Sequence, residues 1–188
     1  MTCRKFLPTL ICLERWRCLT IILGIDPGSR HTGYGVIETI ANKHRHIASG
    51  RINAIGGEMP QRLLKILDGL AAIIQLHQPQ EVAIEETFVN KVNAASALIL
   101  GQARGAAICA AAQARLPVAE YAATQVKLAI AGNGRAEKLQ VQHMVKILLN
   151  HRSALAADAS DALAVALTHA HVRSTKMRTG ISLNKAWG

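Results

Sequence analysis

Short apolar runs separated by turn signals fill the first third of the chain, and apolar positions spaced three to four residues apart dominate the rest. Ile21 to Ile25 is apolar and largely β-branched. It ends on Asp26 and is broken at once by Pro27 and Gly28, which predicts a strand over 21–26 closed by a turn. Gly33 to Ile40 and His46 to Ile52 read as two more strands, completing an antiparallel meander. Met59 to His77 carries Leu63, Leu64, Ile66, Leu67, Leu70, Ile73 and Ile74 at helical spacing, and Pro79 closes it. A fourth strand is expected over 81–85, a long Ala-rich helix over Asn93 to Arg115, and a fifth strand over Pro117 to Tyr121. Thr124 to Ile130, Ala136 to Leu149 and Asp158 to His171 read as helices, with Gly132-Asn133-Gly134 a flexible turn. Residues 1–19 have no clear period, and residues 173–188 are polar and basic. The expected organisation is therefore an N-terminal extension over 1–19, one domain over 20–172, and a disordered basic tail over 173–188.

Three strands followed by helix, strand, helix and strand predict an α/β fold, a mixed five-stranded sheet flanked by helices. Right-handed crossovers would set the helix-linked strands parallel to the first. If the first and fourth strands are neighbours, Asp26 and Glu85 end side by side at the carboxyl edge of the sheet, where α/β folds place their sites. Asp158 and Asp161 are i and i+3 on the last helix and project from one face, which can be laid over that edge. Each acid also has a plainer reading. Asp before Pro-Gly opens turns, and Asp158 suits a helix cap.

At 188 residues and half apolar, the chain is long enough for one domain that buries roughly 70% of its unfolded surface. Charges and helix breakers interrupt every apolar run before it reaches the roughly 18 residues that would suggest a bilayer span, so no membrane role is expected. Residues 7–13 imitate a signal core behind Arg4 and Lys5. However, they contain Pro8 and lead into Glu14, Arg15 and Arg17 with no cleavage site, so a cytoplasmic location is expected. Cys3, Cys12, Cys18 and Cys109 show no Cys-x-x-Cys spacing and suggest neither a zinc site nor a disulfide framework.

Charge narrows the function. Lys and Arg number 22 against 12 acids, a net charge of +10, and no acid follows Asp161. Such an excess favours a polyanionic partner. With 3% aromatic residues, a platform of stacked bases like an RNA-recognition sheet is not expected. Four converging carboxylates cannot all stay ionised without counter-charge, and two hard divalent cations on oxygen ligands would supply it. A site of that kind activates a water on one ion and stabilises a leaving 3′-oxygen on the other during in-line attack at phosphorus.

At these residues the sequence resembles a known family. Gly24-Ile25-Asp26-Pro27-Gly28-Ser29-Arg30 and Thr32-Gly33-Tyr34-Gly35 are similar to the opening motif of the RuvC Holliday-junction resolvases. The likeness continues through Ala83-Ile84-Glu85, Phe88, Ser96 to Gly105, Gln125-Val126-Lys127, Ala136-Glu137-Lys138, Val141 to Val145 and Ala157 to Ala164. It spans essentially 20–172. It implies an RNase H-like fold, a homodimer, and paired symmetric nicks across a four-way DNA junction in recombination and repair. It also implies two Mg²⁺ ions per active site, with Mn²⁺ able to substitute, and the branch-migration partners RuvA and RuvB. The catalytic and metal-binding acids would be Asp26, Glu85, Asp158 and Asp161. Lys127 and Lys138 match basic positions near the scissile phosphate and backbone, and Phe88 matches an aromatic set against a junction base. Lys91, beside Phe88, and Arg135, just ahead of Lys138, complete the expected DNA-binding set.

Glu86 replaces the Gln expected beside Glu85, and alternation along the strand allows only one of the two to face Asp26. Gly101 and Gly105 suggest a close helix contact, either across a dimer or against the chain's own sheet. Residues 1–18 have no counterpart in the pattern, and a functional start at Leu19 is expected. Two rival classes stay open: a non-catalytic junction-binding module, and a fragment of an actin-like ATPase, whose first phosphate loop is similar to 24–29. The ATPases need a second domain and a second Asp-x-Gly loop, which this chain lacks.

Overall fold

The structure is a computed structural model, and it describes residues 19–87 and 94–180. Strands β1 (Thr20–Asp26), β2 (His31–Ile40) and β3 (Lys43–Asn53) form the expected meander. Helix α1 (Met59–His77) leads to β4 (Glu81–Glu85), and α2 (Ala94–Gln113) leads to β5 (Val118–Tyr121). Helices α3 (Ala123–Ala131), α4 (Lys138–Leu148) and α5 (Ala157–Thr179) complete the described chain. The sheet order is β3-β2-β1-β4-β5, with β1, β4 and β5 parallel.

The period of two along β1 assigns its residues to two cores. Ile22 faces the layer of α3, α4 and α5, whereas Leu23 and Ile25 face α1 and α2. By the same alternation Asp26 falls on the α5 face with Gly24, and Glu85 falls there with Ala83. Burying both faces explains why β1 and β4 read as nearly unbroken apolar runs.

Helix α1 starts where Gln61 Oε1 accepts the Glu58 amide at 2.8 Å, and ends at Gln78 in a left-handed conformation just before Pro79. Helix α2 buries Ala103, Ala107, Ala110 and Ala111 in the core it shares with α1. Two expectations for α2 need correction. Among the described residues, a β-carbon on Gly101 or Gly105 would meet nothing within 4 Å, so these glycines do not serve close packing against the sheet. Residues 95–113 are also long and apolar enough to cross a membrane by length and composition, because a single Arg104 and two glycines do not lower the mean hydropathy enough. Among the described residues this helix is packed on one side only.

The tail expectation also changes. Helix α5 continues past His171 to Thr179, through residues whose polarity alone suggested disorder. Arg173 and Ser174 in this stretch have defined partners. Glu81 accepts hydrogen bonds from Arg173 Nε at 2.8 Å and pairs with His169 Nε2 at 2.6 Å, while the Ser174 hydroxyl donates to Asn42 Oδ1 at 2.7 Å. The hydrogen bond from His169, aided by Arg173, holds the Glu81 carboxyl below its usual range.

Candidate active site

The site lies at the carboxyl ends of β1 and β4, under the first turns of α5. Asp26 closes β1, and the chain then turns through Pro27 and Gly28. The Thr32 hydroxyl donates to the Gly28 carbonyl at 2.9 Å, which fixes this turn beneath the acid. Ile25 pairs with Ile84 across the parallel β1–β4 ladder, so Asp26 and Glu85 leave adjacent strand ends on the same face.

Glycines on the sheet set the height of α5 above these acids. A β-carbon on Gly24 would collide with the Ala162 carbonyl oxygen and lie 2.7 Å from the Ala166 amide nitrogen. One on Gly33 would collide with the carbonyl of Asp158, and one on Gly35 would lie 2.7 Å from Leu163 Cγ. Bare backbone at these positions lets the helix rest directly on β1 and β2. Asp158 and Asp161 are thereby carried down to the carboxylates of the sheet.

Electrostatics reports the convergence. Burial pushes the Asp26 carboxyl up to about 6, the charges of Asp161 and Asp158 act in the same direction, and Lys138 opposes them. Burial also pushes Glu85 up to about 7, with Asp26 and Asp161 adding to the rise and Lys138 and Lys127 opposing it. The Lys138 ammonium donates to Asp161 Oδ2 at 2.6 Å, which raises its own pKa. Of the expected basic residues, Lys127 and Lys138 therefore reach the field of the acids. Arg135 lies exposed in the turn leading to α4, with its amide donating to Asn133 Oδ1 at 3.0 Å. Phe88 and Lys91 lie outside the described residues.

Glu86 is exposed and is not among the charges that shift Asp26 or Glu85. Its amide donates to the Tyr121 carbonyl at 2.9 Å, and it borders a separate cleft of about 650 Å³ between β5, α3 and α5. One charged neighbour escaped the sequence reading. Arg51 on β3 points its guanidinium at Asp158, 3.9 Å from Oδ2. The alternation of β3 around Arg51 was legible, but the register that brings it beside Asp158 was not.

The donors are all carboxylate oxygens, which suits a hard divalent cation. The Asp26 and Glu85 carboxyls, pushed up first by burial and then by the neighbouring acids, are buried oxygen donors that fit the metal use the family implies. Among the described residues, however, no three His, Cys, Asp or Glu side chains are closed around a single point.

The family model described as Crossover junction endodeoxyribonuclease RuvC matches residues 22–169. A crossover junction endodeoxyribonuclease RuvC of Xanthomonas campestris pv. campestris is 54% identical over 171 residues, covering 90% of this chain and 98% of that protein. One from Shewanella pealeana is 58% identical over 153 residues, covering 81% of this chain and 88% of that protein. The solved structure of T. thermophilus RuvC in complex with Holliday junction substrate is 34% identical and superposes with a TM-score of 0.78, covering 84% of this chain and 97% of that one. Matched over most of its length in both sequence and fold, this chain belongs to the RuvC family of crossover junction endodeoxyribonucleases.

Proposed function

We propose that the chain is a structure-specific endonuclease that resolves four-way DNA junctions by paired symmetric nicks, acting in the cytoplasm in recombination and repair. The observation that carries this reading is the meeting of Asp26, Glu85, Asp158 and Asp161 on one face, close enough that the charges of Asp161 and Asp158 act on the Asp26 carboxyl and those of Asp26 and Asp161 act on the Glu85 carboxyl. A purely DNA-binding module has no use for such a cluster, since carboxylates repel phosphate and stability gains nothing from like charges held together.

In this reading the four acids hold two Mg²⁺ ions. When bound, the ions supply Lewis-acid charge that activates the attacking water and stabilises the leaving 3′-oxygen at the scissile phosphodiester. Asp26 and Glu85, fixed at strand ends, set the rigid side of the site, and Asp158 and Asp161 close it from the helix. Lys138, which bonds to Asp161 at the edge of the site, is assigned to the DNA backbone on the resemblance. Lys127 adds positive potential beside Glu85. Phe88, Lys91 and Arg135 are assigned to DNA contact on the resemblance.

A homodimer is supported by the outer side of α2, where Leu98 is 73% exposed, Ile99 is 40% exposed and the glycine face is open. Two copies would match the two strands to be cut. RuvA and RuvB are assigned as partners on the family alone.

The test compares a synthetic four-way junction with a linear duplex of the same sequence, each with Mg²⁺ and with EDTA. Cutting of the junction alone, and only with metal, is expected. Tight junction binding without cutting in Mg²⁺ would instead identify a binding module.

A further inference from the structure

Arg51 occupies a defined place beside the acids. Asp26 pairs with Gly33 across β1 and β2, and Gly33 pairs with Arg51 across β2 and β3. Paired residues project to the same side of a sheet, so this row presents an acid, a bare backbone position and a guanidinium toward the first turn of α5. Over the gap at Gly33 lies Asp158, whose carboxylate the guanidinium faces at 3.9 Å.

As a structural contact this pair is weak. The Arg51 side chain is 55% exposed, and 3.9 Å is too long for a hydrogen bond. The charge also stands at the amino-terminal end of α5, where the helix dipole disfavours a cation. By contrast Arg45, also on β3, forms two hydrogen bonds of 3.0 Å with Glu38. Arg51 is therefore a cation held loosely against an acid, on the flank of the site opposite Lys138, and its planar fork suits two phosphate oxygens.

We propose that Arg51 is a phosphate-binding residue of this nuclease. On DNA entry its guanidinium leaves Asp158 and grips a backbone phosphodiester next to the one being cut. The inference rests on the active-site reading above. It assigns the β3 flank to the strand that is nicked, with Lys138 holding the other flank. Because the contact is to the backbone, it affects rate and positioning and leaves base preference unchanged.

The experiment uses the full chain, four-way junctions carrying one neutral methylphosphonate linkage at successive positions around the nick, and single-turnover rates in Mg²⁺. Arg51→Gln should slow nicking of the unmodified junction roughly 10- to 100-fold without moving the thermal midpoint, and Arg51→Lys should restore most of the loss. At one linkage position the wild type should lose a comparable factor while Arg51→Gln loses almost nothing further. Nicking by Arg51→Gln at the wild-type rate, or equal sensitivity of both proteins at every linkage, would overturn the assignment. Asp26→Asn, run alongside, separates the two readings: if it abolishes nicking while Arg51→Gln is unaffected, only the role of Arg51 fails, whereas if Asp26→Asn still cuts, the site itself is misplaced.

Discussion

Asp26 and Glu85 are held where an ionised carboxylate is unfavourable, and this has a measurable cost. The folded-state pKa of Asp26 is raised from 3.8 to about 6, so its contribution to stability is fully present below 3.8 and is lost as pH rises through about 6. At pH 8 in EDTA, Asp26→Asn should therefore be more stable than the wild type by on the order of 2 kcal/mol. The advantage should shrink as pH falls below about 6 and vanish below 3.8, as followed by thermal melts across that range. A midpoint difference that does not change with pH would contradict the burial of this carboxyl among like charges. The two neighbouring glutamates make a sharper pair. Glu85→Gln should cut nicking by several orders of magnitude, and Glu86→Gln should be nearly silent, because Glu86 is exposed and is not among the charges that shift Asp26 or Glu85. Equal losses in single-turnover assays would mean that β4 does not hold its alternation at this end. Residue by residue, the placing of Asp26 and Glu85 was legible in the sequence because each ends an apolar strand, and that of Asp158 and Asp161 because they stand three apart at the start of a helix. Arg51 was not, since its role depends on a register across three strands.

Among the elements, α5 does most to build the site, and its height is set by glycines. Gly33→Ala places a methyl group against the Asp158 carbonyl, a backbone atom that cannot swing aside. The helix must lift, costing about 2 kcal/mol and lowering the thermal midpoint by roughly 4–8 °C. Nicking should fall far more than stability, because the two acids of the helix move away from those of the sheet. Gly105 behaves oppositely. A side chain there meets open space, so Gly105→Leu should leave the fold intact or slightly firmer while disturbing a partner seated on α2. Sedimentation should then show a shift toward monomer, and an unchanged dimer would remove α2 from the interface. The extent of α1 and the end of β4 followed directly from apolar spacing and the flanking Pro79, and the remaining boundaries differed by a few residues. The stretch of α5 beyond His171 did not follow. It is held by pairings such as Arg173 with Glu81, a contact between residues 92 positions apart that local polarity cannot express.

For the molecule as a whole, a net charge of +10 surrounds a small acidic centre. Junction affinity should consequently fall steeply with salt, and Lys127→Ala and Lys138→Ala should each reduce the slope of log affinity against log salt by about 1. An unchanged slope would show that these lysines do not meet phosphate. A mixed sheet flanked by helices, with the helix-linked strands parallel to the first, was expected from the strand and helix sequence because crossover handedness leaves few alternatives, whereas the adjacency of β1 and β4 entered only as a condition and the full strand order came from the structure. Less legible was the unburied side of α2. Alanine repeats show that a helix packs closely but not on which side. The central claim is that the carboxylate cluster cuts the DNA and the surrounding cations bind it. It is tested most directly by Asp26→Asn, measuring single-turnover nicking of a synthetic four-way junction in Mg²⁺ and binding separately in Ca²⁺. Binding equal to or tighter than wild type, with nicking reduced at least roughly a thousandfold, is the predicted result. Nicking at a near-normal rate would contradict the assignment of the active site.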